Sequence, residues 1–256
     1  ISSPDSVKEA IEHFKRATRE DPQFAEAWSG LGRSYMRLGV FAPGKDIESL
    51  IGEGRSALTK ALDLDPGNSS AHTMLGGLTY FNDHEWQLGE EHYVKALALD
   101  ANSGYTHASY ASYLMAAGRW PQAYEHAVKA IELESEDRWA VLLAATPMLY
   151  TGHPDRARDV LESLLAKHPD FVPGVDSLAT AYVALHDFDK ALAVEQRLLD
   201  LSRRSAASLT SFALIAAAAG QPERARQALA EAQANGGYVP GSVAIWPHVL
   251  LGDMGA

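Results

Sequence analysis

The stretch Ala25-Glu-Ala-Trp28-Ser-Gly-Leu31-Gly32-Arg-Ser-Tyr35, answered by Leu58-Thr-Lys-Ala61 and closed at Pro66, decides the fold. Trp28, Leu31 and Tyr35 recur at helical spacing, so they share one face of a helix, and Gly32 leaves room on that face for a close neighbour. A second helical pattern follows and stops at the proline. Outward from here the same slots recur. Ala123, Ala157, Ala191 and Ala225 stand 34 residues apart, opening Ala123-Tyr-Glu-His-Ala127, Ala157-Arg-Asp-Val-Leu161, Ala191-Leu-Ala-Val-Glu195 and Ala225-Arg-Gln-Ala-Leu229. A fixed period of this length means a stacked array of one supersecondary unit.

The order Trp, Leu-Gly, Tyr, then Leu, Ala and Pro, on a period of 34, is the tetratricopeptide pattern. The expected fold is therefore all-α: a tetratricopeptide-repeat solenoid, a right-handed superhelix of antiparallel helix pairs spanning residues 1–256 as one array. Gly39, Gly118, Gly152 and Gly220 are expected to close first helices in left-handed backbone, and Pro121, Pro154 and Pro222 to open second helices. Pro22, Pro66 and Pro169 punctuate the ends of second helices. Gly32, Gly76, Ala111, Ala145, Ala179 and Ala213 mark the closest approach within each hairpin. Ala10, Phe14 and Ala17 fit a second helix without its partner, and Tyr238 to Gly252 a first helix without its partner. About six hairpins lie between these partial repeats, and the chain reads as part of a longer one. A loop insertion is expected near 40–53, and Phe81-Asn-Asp-His-Glu-Trp86 replaces a glycine-containing turn.

The long loop after Gly39, the aromatic turn Phe81 to Trp86, and the closing Tyr238-Val-Pro240 with Leu251-Gly-Asp253 together resemble the repeat half of a bacterial regulatory family. In that family similar repeats follow a winged-helix, nucleotide-cyclase or serine/threonine-kinase domain. The resemblance implies a sensory or protein-docking role, with the output activity in another domain. Two other readings stay open: a substrate-recruiting part of an enzyme whose catalytic domain lies outside this chain, and a stand-alone envelope scaffold.

Composition limits the partners. The net charge is −11 and the pI about 5.3, which gives no basic footprint for direct nucleic-acid binding. No apolar run approaches the roughly 18 residues of a membrane span. Cysteine is absent, which excludes disulfides and thiol chemistry and fits an oxidising or a reducing compartment equally; a cytoplasmic location is expected. The ten histidines form no H-E-x-x-H or paired metal spacing. His72 and His107 occupy the slot of Trp28 and are expected to pack or hydrogen-bond there. Glycine-rich phosphate loops and nucleophile elbows are missing, so no cofactor, metal or turnover of the chain's own is expected.

What remains is the outward face of the first helices. Helix phase places Ser29, Arg33 and Met36 there, then Thr73, Gly77 and Tyr80, then Ala108, Ser112 and Met115. Leu142, Thr146 and Leu149 continue it, followed by Thr180, Val183, Thr210 and Leu214. Tyr105, Tyr113, Trp139 and Tyr150 lie nearby, either lining the groove or filling contacts between hairpins. This face reads as neutral, suited to a protein or peptide with an apolar segment. Exposed terminal repeats leave room for a homo-oligomer.

Overall fold

Four of the first helices begin where a short polar side chain takes over an unsatisfied backbone N–H. In this computed structural model Asn68 Oδ1 accepts from Ala71 N at 2.9 Å, Ser103 Oγ from Thr106 N at 3.2 Å, and Asp137 Oδ1 from Trp139 N at 2.8 Å. Second helices begin less uniformly, and Asp187 caps one of them in the same way. Three of them carry proline in the first turn, where the missing N–H costs nothing. The structure describes residues 4–39, 44–134 and 136–235.

Thirteen helices and no strand occur among these residues. They fall into two compact units, Ile1–Ser135 and Glu136–Ala256. In the first unit α1 (Pro4–Glu20) packs on α2 (Ala25–Gly39), and α2 pairs with α3 (Gly44–Leu64). The hairpins α4 (Ser69–Phe81) with α5 (Trp86–Leu99) and α6 (Gly104–Ala116) with α7 (Trp120–Leu133) complete it. The second unit holds three hairpins: α8 (Arg138–Tyr150) with α9 (Pro154–Lys167), α10 (Val172–Ala184) with α11 (Phe188–Leu201), and α12 (Ala206–Ala218) with α13 (Pro222–Ala234). Six hairpins thus follow α1 among the described residues.

The small-residue slots are where the helices of a pair meet. A Cβ on Gly32 would lie 2.5 Å from Leu58 Cγ and 3.0 Å from the Gly54 carbonyl; on Gly76 it would lie 3.2 Å from the Gly89 carbonyl. Ala111, Ala145, Ala179 and Ala213 are fully buried, as are Ala123, Ala157, Ala191 and Ala225 facing them across the hairpins. Larger side chains here would have to push two backbones apart.

The structure corrects two expectations. The extra residues near 40–53 are not a loop: from Gly44 onward they are helical and extend α3 to 21 residues, while 40–43 lie outside the described residues. Gly39 ends α2 without the left-handed backbone expected of it; that conformation belongs to Gly118, Gly152 and Gly220, with φ of +73°, +89° and +71°. Two histidines complete the same series. His84 (φ 59°) and His186 (φ 58°) stand on the 34-residue spacing of those glycines, so the aromatic turn at Phe81 to Trp86 keeps the usual bend with a costlier residue. The helix expected over Tyr238 to Gly252 lies outside the described residues.

Candidate protein-binding face

In the first unit the sequence-derived face divides into open and closed positions. Arg33 is exposed, and Met36, Tyr105, Ser112 and Met115 are half-buried. Met36 leans over Gly54, whose Cβ would lie 2.9 Å from the thioether sulfur; Tyr80 leans in the same way over Gly89. Ser112 Oγ turns back to Ala108 O at 3.3 Å. Thr73 is a correction: it is 2% exposed, donating to Ser69 O at 3.0 Å and lying 2.8 Å from Thr106 Oγ1, so its hydroxyl joins two helices rather than meeting a partner.

In the second unit Thr146 and Leu149 are half-buried, with Thr146 Oγ1 bonded to Leu142 O at 3.4 Å, and Tyr150 is 61% exposed. Trp139 is the second correction. It is buried with its ring edge-on to Phe171 at 5.2 Å, filling the space between successive hairpins.

The first unit concentrates its aromatic residues around Tyr80. Its ring meets Tyr113 edge-on at 5.2 Å, Trp86 at 5.6 Å and Tyr93 at 6.4 Å, while Tyr93 stacks on Tyr110 at 5.3 Å. Pairs of this kind add about 0.5–1.5 kcal/mol beyond the area they bury. One carboxylate ties the cluster down. Glu90 accepts from Tyr110 OH at 2.7 Å and from Arg119, and the single hydroxyl proton of Tyr113 is shared between Trp86 O at 3.1 Å and Glu90 at 3.4 Å. Burial alone would raise the Glu90 pKa, yet the tyrosine and arginine donors hold it below the usual carboxylate range. Burial, with Glu90 beside it, pushes the Tyr110 phenol up to about 12. At the rim of this network Phe81 is 71% exposed and Trp86 41%.

The histidine slot is structural, as its equivalence to Trp28 suggests. Trp28 Nε1 donates to the carbonyl six residues back, Pro22 O, at 3.0 Å; His72 Nε2 and His107 Nε2 repeat this with Pro66 O and Ala101 O, both at 3.2 Å. A proton on Nε2 leaves Nδ1 of each ring as an acceptor. The second helix supplies the donor. His92 Nδ1 lies 2.9 Å from His72 Nδ1, and His126 Nδ1 lies 2.9 Å from His107 Nδ1. Burial, the neighbouring His107 and Arg119 bring the His126 pKa down to about 4. Sequence reasoning missed both pairs: His92 and His126 stand 34 residues apart and share a slot, but the pattern does not tell that this slot faces that of Trp28.

It also missed an acidic position in the second unit. Asp176 of α10 stands 34 residues after Leu142 and before Thr210, in the series that defines the face. Beneath it on α11, Glu195 is fully buried, and burial pushes its carboxyl up to about 7. Among the described residues no group of three or more His, Asp or Glu side chains is arranged to hold a metal, and no helix is long and apolar enough to cross a membrane.

Hairpins of this geometry, stacked on small-residue slots with a two-histidine or tryptophan cross-link, define a tetratricopeptide-repeat protein, a protein-interaction module. Tetratricopeptide-repeat family models match residues 114–182, and residues 6–42 with 177–240, together more than half of the chain, which belongs to that family. The type IV pilus assembly protein PilF of Pseudomonas aeruginosa is 31% identical over 105 residues, 41% of this chain and 37% of the relative's length. The chain therefore matches little more than a third of that relative. Among solved structures, the Cut9 and Hcn1 hetero-tetramer of the APC/C gives a TM-score of 0.71 at 18% identity, covering 98% of this chain and 46% of that one. PilW, a widely conserved type IV pilus biogenesis factor, gives 0.63 at 18% identity, covering 88% and 98%. At these identities the structures speak for the fold alone.

Proposed function

We propose that the chain holds an apolar segment of a partner protein, and that the first unit's aromatic platform is the principal contact. The observation that carries this reading is Phe81 and Trp86 standing exposed on a ring cluster that Glu90 locks from below. Rigid aromatic side chains lose little entropy on binding, which is why such residues dominate interface energetics. Met36 on α2 and Met115 on α6, both half-buried, can repack around varied apolar shapes. Arg33, Tyr105 and Ser112 supply the polar margin, and Thr146, Leu149 and Tyr150 the corresponding positions of the second unit.

The regulatory half of a signalling protein and a part of an assembly apparatus would both use this contact. The partial match to a protein named for type IV pilus assembly supports the second. The test begins with a partner recovered by pull-down with the full chain. Tyr80→Ala or Met115→Ala should weaken its binding about tenfold, with helical content unchanged by circular dichroism and little change in affinity from low to moderate salt. Burying one such side chain contributes about 1.5–3 kcal/mol, against at most about 1 kcal/mol for an exposed ion pair. Wild-type affinity in both variants, with a steep salt dependence, would place the contact elsewhere.

A further inference from the structure

The slot occupied by Ala127, Leu161 and Leu229, repeated every 34 residues, holds a carboxylate at Glu195. An apolar side chain is what a helix pair needs there, and a charged one breaks the local rule without a packing gain. Glu195 is 0% exposed; Ser211 Oγ of α12 donates to its Oε1 at 2.9 Å, and its Oε2 accepts no hydrogen bond. Asp176 of α10 acts on it electrostatically. That second carboxyl is open to solvent, though enclosed enough by protein for burial to raise its pKa. Among the described residues no lysine, arginine or histidine is paired with either acid.

We propose that Asp176, with the buried carboxyl of Glu195 behind it, receives one basic side chain, lysine or arginine, from the protein segment that docks on the first-helix face of the second unit. A buried carboxyl without a countercharge is costly, and a cation held at Asp176 supplies the compensating charge through space. Asp176 is the open member and meets the cation; Glu195 lies behind it, and Ser211 fixes one of its oxygens. The overall charge of −11 draws a basic segment toward the chain. The inference rests on the docking role proposed above and names the chemistry of the partner at a second point.

The decisive variants do not depend on destabilising the fold, since Glu195→Gln removes a buried charge and should leave the chain at least as stable at pH 7.5. A displayed library of random dodecapeptides is panned on the full chain at that pH, and each recovered peptide is titrated calorimetrically against wild type, Asp176→Asn and Glu195→Gln. Recovered peptides should share a lysine or arginine. Replacing it by glutamine should weaken binding tenfold or more, and the same replacement should have little effect in Asp176→Asn. Peptides that lack a shared basic position, or that bind both variants as wild type, overturn the basic-side-chain inference and leave the docking role standing. A library that yields no binder removes the docking role, and the inference falls with it.

Discussion

The two units use one 34-residue frame for opposite electrostatics. In the first, the polar groups under the aromatic cluster and in the histidine slot are answered: Glu90 has two phenols and Arg119, and the imidazoles of His72 and His107 each have a carbonyl on one side and a second imidazole on the other. In the second, the equivalent depth holds Glu195 with one serine donor and no cation. Helix geometry and small-residue contacts are shared, so the backbone does not set this difference. It comes from single side chains placed in slots that tolerate more than one answer. A saturated network favours rigidity and apolar contact, whereas an unsatisfied acid favours a ligand that completes it.

The largest effect should come from emptying the saturated side. Tyr93 is almost fully buried, touches Tyr80, Tyr110 and Tyr113, and fills the space above Gly76. Tyr93→Ala should cost about 3–5 kcal/mol, the range for deleting a buried aromatic ring. Repeat arrays distribute such losses locally. Hydrogen exchange should therefore show lost protection in α4 to α7 and near-native protection in α10 to α13; uniform loss across both units would deny their separate character.

Acidity should push the two units in opposite directions. The His126 pKa, held down to about 4, returns to about 6.5 in the unfolded chain; the stability from the neutral ring is complete above 6.5 and is lost as pH falls toward 4. Glu195 runs the other way. Its pKa of about 7 compares with about 4.5 unfolded, so its protonated form stabilises fully below 4.5 and that contribution is lost as pH rises through 7. Each effect is bounded by about 3 kcal/mol, and partial solvent access makes the histidine effect the smaller. Hydrogen exchange corrected for intrinsic rates at pH 5 and 7.5 should show the first unit gaining protection and the second losing it. Glu195→Gln should abolish the loss, raising stability at pH 7.5 and changing little at pH 4.5. Parallel shifts in both units would refute the assignment.

The repeat itself was plain in the sequence because its signals are local: glycine, proline and small residues have steric reasons to sit at fixed offsets. Where a residue other than glycine takes the left-handed turn, as His84 and His186 do, the signal fades although the spacing persists. The ten-residue excess after Gly39 looked like a loop because insertions usually go there, yet Asp46, Ile47, Leu50 and Ile51 continue a helix. The site was less legible. Helix phase identified Tyr80, Met36 and Met115 as partly open, but it could not see that Thr73 finds Thr106, or Trp139 finds Phe171, on neighbouring first helices. The His pairs depend on rings 19 and 20 residues apart on different helices. Glu195 was visible all along as an acid in an alanine and leucine slot; only its burial gives that exception meaning.

The smallest effect concerns Arg119, and it separates what holds the saturated network from what merely decorates it. The Arg119 and Glu90 side chains are 38% and 31% exposed, so solvent and salt screen their ion pair. Glu90 would keep both tyrosine donors without it. Arg119→Met keeps much of the aliphatic stem and should cost less than about 1 kcal/mol, with the deficit shrinking as salt is added. Tyr110→Phe should cost more, about 1.5–3 kcal/mol, because it takes away a hydrogen bond to a charged acceptor on the inner side of the cluster. Chemical denaturation of the two single variants and the double variant measures the ranking and the coupling between them. If Arg119→Met proved the more damaging, the ion pair and not the phenols would hold the aromatic platform, and the first unit would owe its rigidity to the same kind of charge pairing that Glu195 lacks in the second.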